Sequence, residues 1–285
     1  MGRRRGSLRR NIRGDVDLSE YRNSKREQER IANLLALVPR TIESALDVGA
    51  RDGFISKLLA GRLPNVSALD LEMPAIDDDR IVCVKGNVLA MDLPDESSDL
   101  VLCAEVLEHI APQHLSVACD ELSRVARQYV LVGVPFRQDT RVGRTTCGTC
   151  GRINPPWGHV NRFDEDRLRE LFPSCEVVRT SFVGVADDGT NALACRLMDL
   201  AGNPYGTYSQ DEPCIHCGER LTPPVERTVP QRILTRMAFY ARSAQRPFMR
   251  RHANWIHVLF QRRSAIRGKS SQWPPLPVSM RSRVR

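Results

Sequence analysis

The chain has 285 residues, 41% of them apolar and 27% charged, which suffices for a large packed core and excludes wholesale disorder. The longest strongly apolar stretches, such as Tyr129–Phe136, fall far short of the roughly 20 residues that a membrane-spanning helix needs. The net charge of +8 hides an acidic middle between basic ends: residues 1–13 carry +6, residues 225–285 carry +13 with Glu226 as their single acid, and the stretch between carries −11. Such ends suit nucleic acid, anionic lipid head groups or an acidic glycan, or are simply solvated arginine-rich flanks. No hydrophobic segment follows MGRRRGSLRR, so a secretory signal is not expected. The expected compartment is the cytoplasm, with the inner membrane face as a peripheral site.

Arg22–Val38 reads as a helix, with Ile31, Leu34, Leu35 and Val38 on one side of a 3.6-residue period. Strand-like apolar runs follow at Ala45–Val48, Val66–Leu71, Ile81–Val84, Leu100–Cys103 and Tyr129–Val134, with helical patterns at Gly53–Ala60 and His114–Val125. This alternation predicts an α/β fold, a parallel sheet covered by helices on both faces. Residues 137–163, rich in Gly, Thr, Pro and Arg, break the pattern. Asp164–Phe172 resumes it as a helix with Asp164 as N-cap, and Cys175–Val185 alternates like a strand. Residues 186–224 read as loop. Gln231–Arg246 is basic and amphipathic, Trp255–Phe260 is a final strand, and 264–285 is a tail.

The segment Ala45-Leu46-Asp47-Val48-Gly49-Ala50-Arg51-Asp52-Gly53 places an acid near the end of the first strand, then a glycine turn, then a new helix. Glycine permits positive φ and close backbone approach to a ligand, and a helix start offers free N–H groups. Asp70, ending the second strand, can accept both ribose hydroxyls of an adenosine. A dinucleotide fold also wants an acid about 20 residues on. It wants a third close glycine too, and needs no aspartate inside the strand. Asp47 suits a cationic ligand instead, such as the amino group of a methionine moiety.

With these residues the sequence resembles the class I S-adenosylmethionine-dependent methyltransferases over about residues 27–185. Three further blocks carry the resemblance: Gly86-Asn87-Val88, the run Leu93–Val101, and Cys103-Ala104-Glu105-Val106-Leu107-Glu108-His109-Ile110. It implies a Rossmann-like sheet with S-adenosylmethionine held by Asp47, Gly49, Ala50, Arg51, Gly53, Asp70, Leu71, Asn87, Val88 and Cys103. Two positions depart from the family. Arg51 stands where the middle glycine is usual, and its Cβ makes a left-handed turn costlier, so a differently shaped loop is expected. Asn87 stands where an acid is usual, but its amide oxygen can still accept from an adenine N–H.

Nine cysteines in a cytosolic chain are not a disulfide framework. Cys83, Cys103, Cys119, Cys175 and Cys195 sit among apolar neighbours as small buried hydrophobes. Cys147-Gly-Thr-Cys150-Gly151 and Cys214-Ile-His-Cys217-Gly218 each look like a zinc knuckle, and two knuckles complete a closed four-thiolate shell of structural zinc. Four unrelated thiols are the alternative.

Methyl transfer to an alcohol needs a positioned nucleophile and a base for its proton. His159 and His109 are the candidate bases, with Glu105 beside them in the block after the fourth strand. Glu105, Glu108, His109 and His159 also make a hard-donor set of the kind that holds magnesium in some relatives. Many relatives with the same block need no metal, and there the two glutamates cap or orient the next helix.

The layout becomes a basic arm over 1–20, a cofactor-binding core over 21–136, a first knuckle insertion over 137–163, and core helix and strand over 164–185. A second knuckle insertion over 186–224, a basic amphipathic region and strand over 225–263, and a basic tail over 264–285 complete it. Knuckle, Gly-His-Val, helix, strand and second knuckle resemble bacterial methyltransferases of surface-glycan and cell-envelope biosynthesis. That implies O-methylation of a sugar or glycolipid acceptor, with peripheral contact to anionic membrane. The competing expectations are an RNA methyltransferase gripping nucleic acid through its basic ends and knuckles, and a non-catalytic zinc-stabilised module. Asn154-Pro155-Pro156-Trp157 spells an amino-methylation motif but lies in the knuckle loop, so it is read as coincidental.

Overall fold

The structure, a computed structural model, describes residue 22 and residues 24–266 apart from 187, 188 and 211. The arm over 1–20 and nearly all of the tail over 264–285 therefore lie outside the described residues. The chain divides into two units, one holding residues 29–137, 163–185 and those from 252 on, the other residues up to 28, 138–162 and 186–251.

The first unit is built on a seven-stranded sheet. Its strands are β1 (Ser44–Val48), β2 (Asn65–Asp70), β3 (Ile81–Lys85), β4 (Ser98–Ala104), β5 (Ala126–Pro135), β8 (Cys175–Val183) and β9 (Trp255–Arg262). They lie in the order β3-β2-β1-β4-β5-β9-β8. The first five pair in parallel, as the alternating pattern predicts. The last two run antiparallel, with β9 inserted between β5 and β8. The helices are α1 (Lys25–Ala36), α2 (Phe54–Ala60), α3 (Leu115–Val125) and α4 (Glu165–Leu171).

Alternate residues of the central strands feed two cores, as the two-residue period of a strand requires. Val101 and Cys103 of β4 join Val130 and Val132 of β5 under α3 and α4. Leu100, Leu102 and Leu131 turn to the opposite face, where α1 contributes Ile31, Leu34 and Leu35 and α2 contributes Leu59. Both faces of the strands are buried, hence their nearly continuous apolar sequences. As expected, Asp164 caps α4, accepting the Arg167 N–H at 3.0 Å. The strand order turns back on itself between β1 and β4, which opens a crevice at their carboxyl ends, the usual ligand position in such sheets.

The second unit holds a short hairpin, β6 (Thr145–Thr146) with β7 (Ile153–Asn154), and two helices packed on each other, α5 (Ala192–Leu200) and α6 (Val229–Gln245). Helix α5 corrects the expectation of loop throughout 186–224. Asn191 caps it by accepting the Ala194 N–H at 2.8 Å, and its nine residues are too few to display a period beside so many glycines and prolines. The basic amphipathic stretch is α6.

Asp99 explains part of the run into β4. Its Oδ2 accepts the N–H groups of Glu43 and Ser44 at 3.0 and 3.1 Å, and its Oδ1 accepts from Arg127 at 2.8 Å and Gln128 at 3.2 Å. The carboxylate thereby fastens the start of β1 to β4 and β5. Asp99→Ala should lower stability by about 2–3 kcal/mol, because two backbone donors lose their acceptor. A urea melt should show a lower midpoint with an unchanged slope.

Candidate cofactor cleft and cysteine cluster

The turn after β1 holds three left-handed residues in alternation: Gly49, Arg51 and Gly53 have φ of 80°, 51° and 73°. The reshaping expected at Arg51 does not occur. Arginine adopts the left-handed conformation itself and bears the strain, and its N–H donates to Asp70 Oδ2 at 2.7 Å. The glycines have a second reason to be glycine. A Cβ on Gly49 would stand 2.3 Å from Val106 Cγ2, and one on Gly53 would stand 2.3 Å from Ile76 Cδ1. The space that their missing side chains leave is filled by the protein's own packing, not reserved for a ligand.

Asp70 Oδ1 accepts the Leu71 N–H at 2.7 Å, so each of its oxygens holds one backbone amide and retains capacity for another donor. The Gly49 and Ala50 N–H groups both donate to Leu69 O, at 2.8 and 3.2 Å, and the Gly86 N–H donates to Asp70 O at 2.8 Å. The turns after β1, β2 and β3 are thus tied to the end of β2. Asp47 lies beneath them, only 2% exposed, and takes the Ser56 hydroxyl at 2.6 Å. Burial pushes its pKa up to about 6 against the lowering effect of Ser56, and Asp70 and Asp52 add to the rise. The cleft floor is therefore crowded with negative charge, which a cationic ligand would relieve.

Asn87 is exposed and its Oδ1 accepts the Leu89 N–H at 2.9 Å. Leu71 is exposed, whereas Ala50 and Val88 are buried. Cys103 corrects an expectation: it is completely buried in the core, with its thiol pKa raised well above the ordinary range by burial. Its side chain belongs to the sheet packing and not to the cleft. Cys83 is only half-buried.

Beyond β4, Glu105 has a φ of 59°. Its Oε2 accepts the Trp255 indole N–H at 3.2 Å, and Arg30 Nη1 lies 3.9 Å from Oε1. Glu108 is completely buried with neither carboxyl oxygen hydrogen-bonded, and burial, reinforced by Glu105, raises its pKa well above the carboxylate range. Neither glutamate caps the next helix, whose N-cap is His114 with no side-chain bond. His109 reaches solvent, yet packing around its ring and the Arg51 charge push its pKa down to about 4. So weak a base contributes little near neutral pH.

Sequence reasoning missed Arg30, Trp255 and the buried His257. The His257 Nδ1–H donates to Asn33 Oδ1 at 2.8 Å, and Asn33 Nδ2 donates to Ser181 Oγ at 2.8 Å. Burial and Arg30 push the His257 pKa down to about 3, which keeps the ring neutral. These partners lie up to 224 residues apart, and no local period reveals such a pairing.

In the other unit His159 is buried, and its Nδ1 lies 2.6 Å from Gln138 Oε1. An amide oxygen only accepts, so Nδ1 carries a proton in this contact. Trp157, two residues before, has a φ of 52° and is 44% exposed. Its N–H is held by Gln210 Oε1 at 2.6 Å.

The four knuckle sulfurs all lie within 4.8 Å of one another. Cys147 Sγ is 3.7 Å from Cys217 Sγ, and Cys150 Sγ is 3.7 Å from Cys214 Sγ. These are not disulfide distances, which are about 2.05 Å. A tetrahedral ion with metal–sulfur bonds of about 2.3 Å sets sulfur–sulfur edges of about 3.8 Å. The two knuckles repeat one geometry: Gly151 and Gly218 are left-handed, with φ of 70° and 75°, and their N–H groups donate to Cys147 O and Cys214 O at 3.0 and 2.8 Å. Asn154, buried, joins them, its Oδ1 accepting the Ile215 N–H at 2.9 Å. The apparent amino-methylation motif is therefore a structural clasp, in keeping with its reading as coincidental.

Residues 46–131 match the family model described as a methyltransferase domain. Over 158 residues the chain is 30% identical to a probable S-adenosylmethionine-dependent methyltransferase of Mycobacterium tuberculosis, covering 53% of each chain. Over 86 residues it is 31% identical to an uncharacterized methyltransferase of Mycobacterium bovis, covering 28% of this chain and 44% of that one. The chain thus spans about half the length of the curated relatives it matches. Among solved structures, a putative methyltransferase from Bacillus halodurans superposes with a TM-score of 0.50 at 13% identity, covering 81% of this chain and 97% of that one.

The charge at Asp47 has a measurable consequence. Its folded-state pKa of about 6 lies above the ordinary value of 3.8, so ionisation destabilises the fold progressively as pH rises from about 4 through 6. Asp47→Asn should stabilise the ligand-free protein by on the order of 3 kcal/mol above pH 7 and flatten its stability between pH 4 and 6. A cationic ligand that paired with Asp47 would bind this variant at least about tenfold more weakly in calorimetry, because the carboxylate's ionic hydrogen bond would be lost.

Proposed function

We propose that this chain is an S-adenosylmethionine-dependent methyltransferase that O-methylates a sugar or glycolipid precursor and carries one structural zinc ion. The observation that carries the reading is the floor of the cleft. Asp47, Asp52 and Asp70 surround a left-handed turn in a methyltransferase domain, and burial together with the other two charges raises the Asp47 pKa to about 6. In this reading Asp70 accepts the ribose hydroxyls with the lone pairs its amide bonds leave, Asp47 pairs with the ammonium of the methionine end, and Asn87 accepts from the adenine amine. The bound donor supplies an electrophilic methyl group on a sulfonium. An acceptor oxygen's lone pair attacks that carbon, the sulfur keeps the electrons of the broken bond, and the hydroxyl proton leaves to a base.

His159 is the proposed base. Gln138 accepts the Nδ1–H and so orients the ring and sets its tautomer. The exposed indole of Trp157, its centroid 6.0 Å from the His159 ring, offers an apolar surface for a sugar ring. Zinc is proposed for the four thiolates because their 3.7 Å spacings fit its tetrahedral shell.

Three measurements test this. His159→Ala should reduce turnover about 10²–10⁴-fold with S-adenosylhomocysteine affinity unchanged, and unaltered turnover removes it as base. Gln138→Leu should cut turnover less and change its pH profile, since the tautomer is no longer fixed. Elemental analysis should find about one zinc per chain, absent in Cys214→Ser, with chelation lowering the thermal midpoint.

A further inference from the structure

Helix α6 packs one face on α5 and leaves another to solvent. The packed face carries Gln231, Leu234, Thr235, Ala238 and Ala241 at helical spacing. On the solvent face Val229, Ile233, Met237 and Tyr240 are 68%, 55%, 49% and 67% exposed. Steps of four, four and three residues put them in one stripe about 16 Å long. Arg232 and Arg236, both exposed, flank that stripe on the same side. Past the helix Phe248 is 84% exposed and is followed by Arg250 and Arg251. Residues 225–251 contain seven arginines and one acid, Glu226.

Monomer surfaces rarely keep so continuous an apolar stripe without a partner. We propose that the solvent face of α6 is a membrane-docking surface that lies in the interface of an anionic lipid bilayer. An in-plane interfacial helix needs an apolar stripe bordered by cations, so that aliphatic and aromatic groups enter the acyl boundary while arginines meet phosphates. Both parts are present in register. Nucleic acid fits less well, because three of the four stripe residues, Val229, Ile233 and Met237, neither neutralise phosphates nor offer planes for base stacking, and Tyr240 alone among the four does. A second copy of the chain fits less well too, since a two-fold pairing of these helices would oppose arginines with no acid on either helix. No helix among the described residues is long and apolar enough to cross a membrane, so the contact is peripheral.

The test is co-sedimentation of the full chain with vesicles of phosphatidylcholine alone and of phosphatidylcholine mixed with phosphatidylglycerol. Binding is expected only to the anionic vesicles and should weaken, without vanishing, as salt rises. Arg232→Gln/Arg236→Gln should weaken it about 25-fold, at about fivefold per arginine. Ile233→Asp/Met237→Asp should abolish it. Unchanged far-ultraviolet dichroism and S-adenosylhomocysteine affinity in both variants would show that the fold and the cleft are intact. Equal binding to both vesicle types, no binding, or wild-type binding by Ile233→Asp/Met237→Asp overturns the proposal; the last would assign the affinity to the basic termini. Displacement of the vesicles by RNA, or a dimer dispersed by Ile233→Asp/Met237→Asp, likewise overturns it in favour of that partner.

Discussion

The architecture of the cleft depends on the grip of one carboxylate. Asp70 stands at the last position of β2 and holds the Arg51 N–H on one oxygen and the Leu71 N–H on the other, both at 2.7 Å. That grip lets a non-glycine residue remain left-handed, because hydrogen bonds to an ionised acceptor are strong enough to offset strain of this order. It also fixes where Asp70's remaining lone pairs point, since both oxygens are held from behind. Asp47, buried under the same turn, then experiences Asp70 as a like charge. The like charges that destabilise the ionised turn are the same ones that a cation placed there would relieve, so affinity for a cation and instability without one would have the same origin.

A second set of polar groups organises the far side of the same sheet unit. Arg30 of α1 approaches Glu105 at the end of β4, Trp255 of β9 donates to the same carboxylate, and His257 of β9 reaches Asn33 of α1. These bonds attach the antiparallel strand β9 to the parallel sheet through side chains as well as through the ladder with β5. His257 is neutral because burial and Arg30 both oppose its protonation. Buried polar groups so arranged specify register, because a slip of one residue would turn His257 away from Asn33 and leave both unpaired.

How much of this was legible in the sequence follows from how local each signal is. The central parallel strands were visible because burial on both faces makes them nearly all apolar, and Asp47 and Asp70 stood out as acids within apolar runs. The two knuckles were visible because two thiols on one tight turn need a fixed spacing and a glycine beyond. By contrast, α5 was hidden by its brevity, and β9's antiparallel place by the 186–251 segment between it and β8. The block after β4 was recognised, but not the partners of Glu105, which come from residues 30 and 255. Gly49 and Gly53 were noticed for only part of what they do. Their backbone angle was inferable from residue type, whereas Val106 and Ile76 filling the space beside them depends on tertiary packing.

The proposed ion would account for a feature of the knuckle region that its other contacts leave unexplained. Its buried apolar cluster consists of Cys147, Cys214 and Leu221, with Tyr208 against it, and so small a core supplies little hydrophobic stabilisation. Hydrogen bonds align the parts, through Asn154 to Ile215 and through the Tyr208 hydroxyl, which accepts the Thr146 N–H at 3.0 Å. They do not explain why four sulfurs should converge. Without an ion the coupled thiols split: backbone N–H groups, Cys150 foremost, and the neighbouring thiols hold Cys147 below the thiol range, and Cys214 is lowered to about 6 despite desolvation. Cys217, despite an N–H from Glu219, is pushed up to about 12 by burial and its three neighbours. A divalent cation at the centre would favour the thiolate at all four positions and give each a bond to one charge. With such an ion bound, the convergence of the sulfurs would be the main source of this region's stability, and apolar side chains would need to supply little of it.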